Sequence, residues 1–213
     1  MVTLAPHRAE RAALCDLFLA KGPDAPTLCE GWLTRDLAAH LFIRERRPLS
    51  GPGLVMGGAA ARLTASILDR TKEQHSYEDL VTRVRGGPPL VLAPFDKVMN
   101  LTEYFVHHED VRRGAGDTTP RTPEELAPVE AALWKMLQRG SKFMTRPLKD
   151  CGLDLVTPDG KSIHAREGAV RATMTGTAGE IVLFLSGRGA AAHVELGGPQ
   201  EAQQALRATR FGL

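Results

Sequence analysis

The sequence predicts a mainly α protein in two parts, an all-helical stretch to about residue 146 and a small α+β stretch over 147–213. Three observations carry this reading. Apolar residues recur at helical spacing in successive segments before residue 146. Strand-like alternation first appears near residue 153, beside turn signals. Capping residues, glycines and prolines fall between the segments rather than inside them.

The first helix is expected over 4–21, with Leu4, Ala12, Leu14, Leu17, Phe18 and Leu19 as its apolar positions and Gly22-Pro23 as its stop. A loop over 23–33 ends in Gly31-Trp32. Thr34 is a good N-cap for a helix to about residue 47, which Pro48 ends. Gly51 to Gly58 is glycine-rich, and a helix over 57–74 follows. Ser76-x-x-Asp79 resembles a capping box and opens a short helix to 85, broken by Gly86-Gly87-Pro88-Pro89. A helix over 94–113 is closed by Gly114 and Gly116. Thr122-Pro123-Glu124-Glu125 opens a helix to about 143, with proline at its first position.

Beyond Pro147 the pattern changes. Strands are expected over 153–157, 162–166 and 170–175, the first two joined through the Pro158-Asp159-Gly160 turn. A helix over 177–186, a strand over 193–196 and a helix over 199–208 complete the chain. The domain boundary is accordingly expected at 146/147.

Composition bounds the function. The 213 residues are 43% hydrophobic and 24% charged, ordinary values for a globular protein. A net charge of +2 gives no general reason to expect nucleic acid or an acidic membrane as partner. No apolar run approaches the roughly 20 residues that span a bilayer. Charged residues among the first thirteen argue against a signal peptide, and three cysteines read as reduced thiols, so a cytoplasmic protein is expected. The preference for Ala and Arg over Ile and Lys suggests a GC-rich, actinobacterial type of genome. There is no Walker loop, no G-x-G-x-x-G after a strand and no G-x-S-x-G elbow.

The residues that carry chemistry lie in the 94–113 helix. Glu103 and His107 stand one turn apart, about 40° from each other on the helical wheel. Asp110 falls on the same side, with Met99, Val106, Tyr104 and Val111 flanking the stripe, while His108, Glu109 and Arg112 point largely away. A carboxylate and an imidazole between apolar neighbours need a partner if buried, and a divalent metal serves both. A solvated i,i+4 ion pair is the alternative. His40, on the apolar side of its helix, is either a satisfied core histidine or a third ligand completing a His₂Glu set with open coordination positions.

At these residues the chain resembles a known family. Thr27-Leu-Cys29-Glu-Gly31-Trp32-Leu-Thr34-Arg35-Asp36-Leu37-Ala-Ala-His40-Leu41 is similar to the opening of the DinB-like helical bundle family, and within it to the mycothiol-dependent maleylpyruvate isomerase group of actinobacteria. Glu103-Tyr-Phe-Val-His107-His108-Glu-Asp110 is similar to that group's second signature, and Gly176 through Arg188 to the start of its sterol-carrier-like C-terminal domain. The resemblance implies a four-helix bundle holding a divalent metal through His40, Glu103 and His107. Zinc is the metal expected, with nickel, iron or manganese as alternatives. The remaining positions would take water or the thiol of mycothiol, and the reaction would be S-transfer or thiol-dependent isomerisation of a small electrophile.

The other candidates each have two readings. Arg44, one turn after His40, binds a substrate or thiol carboxylate or forms a surface salt bridge. Arg188, where the resemblance places an active-cleft arginine, contacts substrate or complements a helix dipole. Cys29 approaches the metal or fills space at a helix entry, and Asp110 supports the site or does not. Cys15 and Cys151 look structural, and Thr177-x-x-Glu180 is better explained as a capping box than as an anion site. A non-catalytic metal or small-ligand-binding protein, or a metal-water hydrolase, remains the alternative function. A monomer or homodimer acting on a small molecule is expected.

Overall fold

The computed structural model describes residues 4–46, 59–89 and 96–212, with the side chains of all of these except 59–64 and 96–99. The expected stop at Pro48, the glycine-rich stretch from Gly51 to Gly58, helix starts at 57 and 94, and the Met99 side chain lie outside the described residues. Those residues form eight α-helices and one four-stranded sheet, in two compact units spanning 1–117 and 118–213.

The first unit holds α1 (Pro6–Lys21), α2 (Thr34–Arg46), α3 (Ala59–Gln74), α4 (Tyr77–Gly86) and α5 (Asp96–Arg113). Helix α1 packs on α4 and α5, and α2 on α3 and α4. Their shared core contains Leu14, Phe18, Leu37, Leu41, Leu80, Val84, Tyr104 and Val111. Each large side chain buried here contributes roughly 1.5–3 kcal/mol by leaving water. Ser76 caps α4 as its sequence implies, accepting from the Asp79 amide at 3.1 Å.

Helix α1 departs from its expected pattern. Leu4 and Leu19 are exposed, whereas His7, Glu10 and Arg11 are buried. The reason lies on α5. His108 Nδ1 is 3.0 Å from Glu10, Arg11 is 3.4 Å from Glu45 of α2, and Tyr104 donates to the same Glu45. Thus His108 and Glu109 do point away from the Glu103–His107 stripe, but into a buried polar seam rather than into water.

Thr34 also behaves differently from an N-cap. Its hydroxyl donates to the Gly22 carbonyl at 2.5 Å, while Asp36 accepts from the Leu33 amide at 2.9 Å. This ties both ends of the 23–33 loop to α2. The loop's middle is tied to α5, because the Leu28 amide donates to the Asp110 carbonyl at 3.0 Å. Gly114 makes that approach possible: a Cβ there would lie 2.2 Å from the Pro26 carbonyl oxygen and 2.6 Å from Thr27 Cα. Backbone cannot move aside as a flexible side chain can. Gly114→Ala is therefore expected to cost about 1–3 kcal/mol by overpacking, read from urea unfolding. A change within a few tenths of a kcal/mol would contradict the close approach.

The second unit begins with α6 (Pro123–Met144), whose N-terminus carries the expected capping box between Thr122 and Glu125. This helix, which the sequence reading placed in the N-terminal part, packs here on α7 (Ala178–Leu183) and on β2 (Ser162–Arg166). The sheet order is β2-β1-β3-β4, with β1 at Cys151–Val156, β3 at Val170–Thr175 and β4 at Glu195–Gly197. Strand β1 pairs antiparallel with β2 and parallel with β3, and β4 pairs antiparallel with β3. A π-helical turn, Phe184–Arg188, extends α7, and α8 (Gln200–Ala208) packs on β1 and β3. The amides of Ala178 and Gly179 at the α7 N-terminus both donate to the Glu130 carboxylate, so that helix start is already capped by a side chain of α6.

Candidate metal centre

Helices α2 and α5 bring His40, Glu103 and His107 together. Glu103 Oε1 lies 3.2 Å from His40 Nε2 and 3.2 Å from His107 Nε2. The ligand atoms of all three lie within 4.8 Å of one another. Tetrahedral zinc at 2.0–2.1 Å from its ligands spaces them by roughly 3.3 Å, so this donor set fits one small divalent ion with little movement. Three protein ligands leave at least one position for an external molecule. The Glu103 side chain is 25% exposed, whereas those of His40 and His107 are 12% and 10% exposed. The site therefore opens to solvent on its carboxylate side.

The other ring nitrogen of His107 is held from behind. Nδ1 lies 2.8 Å from Oδ2 of Asp110, a residue with no exposed surface. A carboxylate on the far nitrogen of a ligating histidine fixes the ring's tautomer and orientation. Cys29 reaches the same oxygen, its thiol donating to Asp110 Oδ2 at 3.2 Å, with Sγ 4.0 Å from His107 Nδ1. Sequence spacing puts Asp110 on the right face of α5, but Cys29 arrives only because the 23–33 loop folds back. Trp32, from the same loop, packs its ring 5.3 Å from the His40 ring.

The charges are strongly coupled. Burial favours a neutral Glu103, yet hydrogen bonds from His107 and His40, with Arg44 nearby, hold its carboxyl well below the usual range. Burial also works against a charged His107, but Asp110, Cys29 and Glu103 together hold it well above the ordinary imidazole value. At His40 burial prevails and the value is lowered. Without metal, then, an anionic Glu103 faces a protonated His107 and a neutral His40.

This arrangement sets the sign of a pH effect. A ligating Nε2 must be deprotonated. His107 keeps its proton above 6.5, so metal uptake at neutral pH is expected to release about one proton. Affinity should rise with pH until the raised His107 value is passed. The pair's contribution to metal-free stability runs oppositely, being complete below 6.5 and lost as pH climbs through the raised value. Calorimetry in buffers of different ionisation enthalpy counts the released protons, and a count of zero would contradict the charge assignment.

Arg44 forms an ion pair within the site, not on the open surface. Its Nε lies 3.2 Å from Glu103 Oε1, and Nη1 donates to Asn100 of α5. Arg188 belongs to the second unit, where Nη1 donates to the Ser186 carbonyl at 2.6 Å next to Gly187, whose φ is 86°. Cys15 is buried with its thiol pushed up to about 12, chiefly by burial. Cys151 is buried against the Gly152 and Ala202 carbonyls.

No family model and no curated protein sequence matches the chain. Among solved structures, a histidine-to-alanine mutant of the mycothiol-dependent maleylpyruvate isomerase is similar, with a TM-score of 0.56 at 16% identity over 90% of each chain. The mycothiol-dependent maleylpyruvate isomerase itself is similar with a TM-score of 0.53, again at 16% identity over 90% of each chain. The chain thus shares the fold of the mycothiol-dependent maleylpyruvate isomerase structures.

Proposed function

We propose that the protein is a metal-dependent enzyme that uses a low-molecular-weight thiol of the mycothiol kind, as an isomerase or S-transferase acting on a small electrophile. The observation that carries this reading is the convergence of His40, Glu103 and His107 on one point with a solvent-facing side. The shared fold with thiol-dependent isomerases supports the choice of reaction class. Within that reading, the helical part to about residue 146 is a DinB-like four-helix bundle, and residues 147–213 are sterol-carrier-like. The two-histidine, one-carboxylate set suits zinc, with nickel, iron and manganese as alternatives.

A divalent metal at this site supplies Lewis acidity, which lowers the pKa of a bound thiol or water toward neutrality. The chain's own residues do the rest. Asp110 holds His107 in the tautomer that turns Nε2 toward the site. Trp32 limits water around His40. Arg44 pairs with Glu103 and presents a guanidinium where a substrate or thiol carboxylate would sit. A cytoplasmic location belongs to the same proposal; among the described residues no helix is long and apolar enough to cross a membrane.

The test uses zinc-loaded protein with mycothiol, and with glutathione as a control thiol, against a panel of small activated alkenes including maleylpyruvate. Turnover that requires both metal and thiol, and that His40→Ala abolishes, is the expected result. Zinc-loaded protein that binds neither thiol would overturn the reading. One observation favours a second reading, binding of a small apolar ligand without chemistry. The second unit contains a cavity of about 610 Å³ whose lining includes Phe184, Leu196, Leu206 and Phe211, with Arg207 and Arg210 beside them. Retention of an apolar molecule on purification, with no thiol-dependent turnover, would support it.

A further inference from the structure

The metal reading leaves Cys29 without a task, although its thiol lies within reach of the buried carboxylate behind His107. We infer that Cys29 is a positioning residue for the metal centre, acting through Asp110 on His107. The inference rests on the proposed metal reading.

Asp110 Oδ2 accepts from two directions, from His107 Nδ1 at 2.8 Å and from the Cys29 thiol at 3.2 Å. A carboxylate with no exposed surface turns toward whatever donors surround it. With the thiol as a second donor, Oδ2 is fixed at the crossing of two hydrogen bonds, and the imidazole that shares it is fixed in turn. The thiol itself is not free to wander. The Cys29 amide donates to Thr27 Oγ1 at 3.1 Å, and that hydroxyl donates onward to the Trp32 carbonyl at 2.8 Å. The Leu28 amide anchors the loop to the Asp110 carbonyl at 3.0 Å, one residue from Cys29. The loop that supplies Trp32 to His40 thus also sets the back of His107, so both histidines are oriented by one short segment.

The same atoms admit a competing arrangement. Cys29 Sγ, His107 Nδ1 and Asp110 Oδ2 also lie within 4.8 Å of one another, a spacing that would suit a metal ion of their own. The two arrangements differ in what Cys29 does. In the relay it donates a hydrogen bond to a carboxylate, which serine can do too. In a second metal site it binds through sulfur, which serine cannot replace.

The test compares wild type, Cys29→Ala and Cys29→Ser, each stripped and reloaded with zinc. Affinity is read by competition with a chromophoric chelator, and the His107 tautomer by imidazole ¹⁵N shifts in the loaded protein. The relay predicts one zinc per chain, an affinity about tenfold weaker in Cys29→Ala, and an affinity within about threefold of wild type in Cys29→Ser. It also predicts a fixed Nδ1–H tautomer in wild type and Cys29→Ser that broadens into exchange in Cys29→Ala. A merely structural cysteine would lower stability without moving either readout. If wild type binds zinc and Cys29→Ala binds it equally well with the same shifts, the relay is overturned and the metal reading stands. If wild type binds no zinc, both fall. Two zinc ions per chain, or Cys29→Ser as weak as Cys29→Ala, would assign the sulfur as a ligand and overturn the relay.

Discussion

His107→Ala is expected to lose metal and stability together. Removal of the imidazole takes one of three ligands from the site, so bound metal after dialysis should fall below about a tenth of the wild-type content. It also removes the protonated imidazole that faces the Asp110 carboxylate, which has no exposed surface. Stripping one member from a buried pair costs about 3–5 kcal/mol, because the charge that remains cannot reach water. His40→Ala separates the two effects. It removes a ligand that carries no charge in the metal-free protein, so metal should be lost at a stability cost of about 1 kcal/mol. Elemental analysis with urea unfolding of the metal-free proteins measures both quantities. Full metal content in His107→Ala, or equal destabilisation by the two variants, would contradict the charge pattern of the site.

Glu109→Ala is expected to be the most damaging substitution away from the metal. Glu109 and Arg113 are each only 1% exposed and pair at 2.5 Å along α5. Truncating the glutamate removes the close carboxylate partner of a buried guanidinium, at about 3–5 kcal/mol. Metal affinity should change little, since the pair faces away from the Glu103–His107 stripe. Urea midpoints and metal content, measured on the same samples, decide the matter. A loss under 1 kcal/mol would mean that Arg113 finds another acceptor or reaches water.

The parts of this molecule that could be read from sequence are those governed by local rules. Ser76, Thr122 and Thr177 cap their helices because a side-chain oxygen within three residues of an orphan amide needs no tertiary help. Glu103, His107 and Asp110 share a face because the helical period alone puts them there. What escaped the reading depends on partners far along the chain. Glu10 and Arg11 are charged positions of α1, and they are buried because α5 and α2 bring His108, Tyr104 and Glu45 to meet them. Thr34 looks like a cap but bonds back to Gly22, twelve residues earlier. Cys29 reaches Asp110 across 81 residues, and Arg44 meets Asn100 and Glu103 across the α2–α5 boundary. Helix α6 has an apolar stripe that periodicity detects, yet periodicity does not say which unit that stripe covers.

In the proposed function His40, Glu103 and His107 hold one metal ion and leave a position that a thiol can take. X-ray absorption of the zinc-loaded protein, recorded before and after one equivalent of mycothiol, tests this directly. The predicted spectrum without thiol has only nitrogen and oxygen neighbours at about 2.0–2.1 Å, with the outer-shell pattern of two imidazoles. On adding thiol, one sulfur neighbour should appear at about 2.3 Å while both imidazoles stay. A sulfur already present before the thiol is added, or a first shell that the thiol leaves unchanged, would contradict the account.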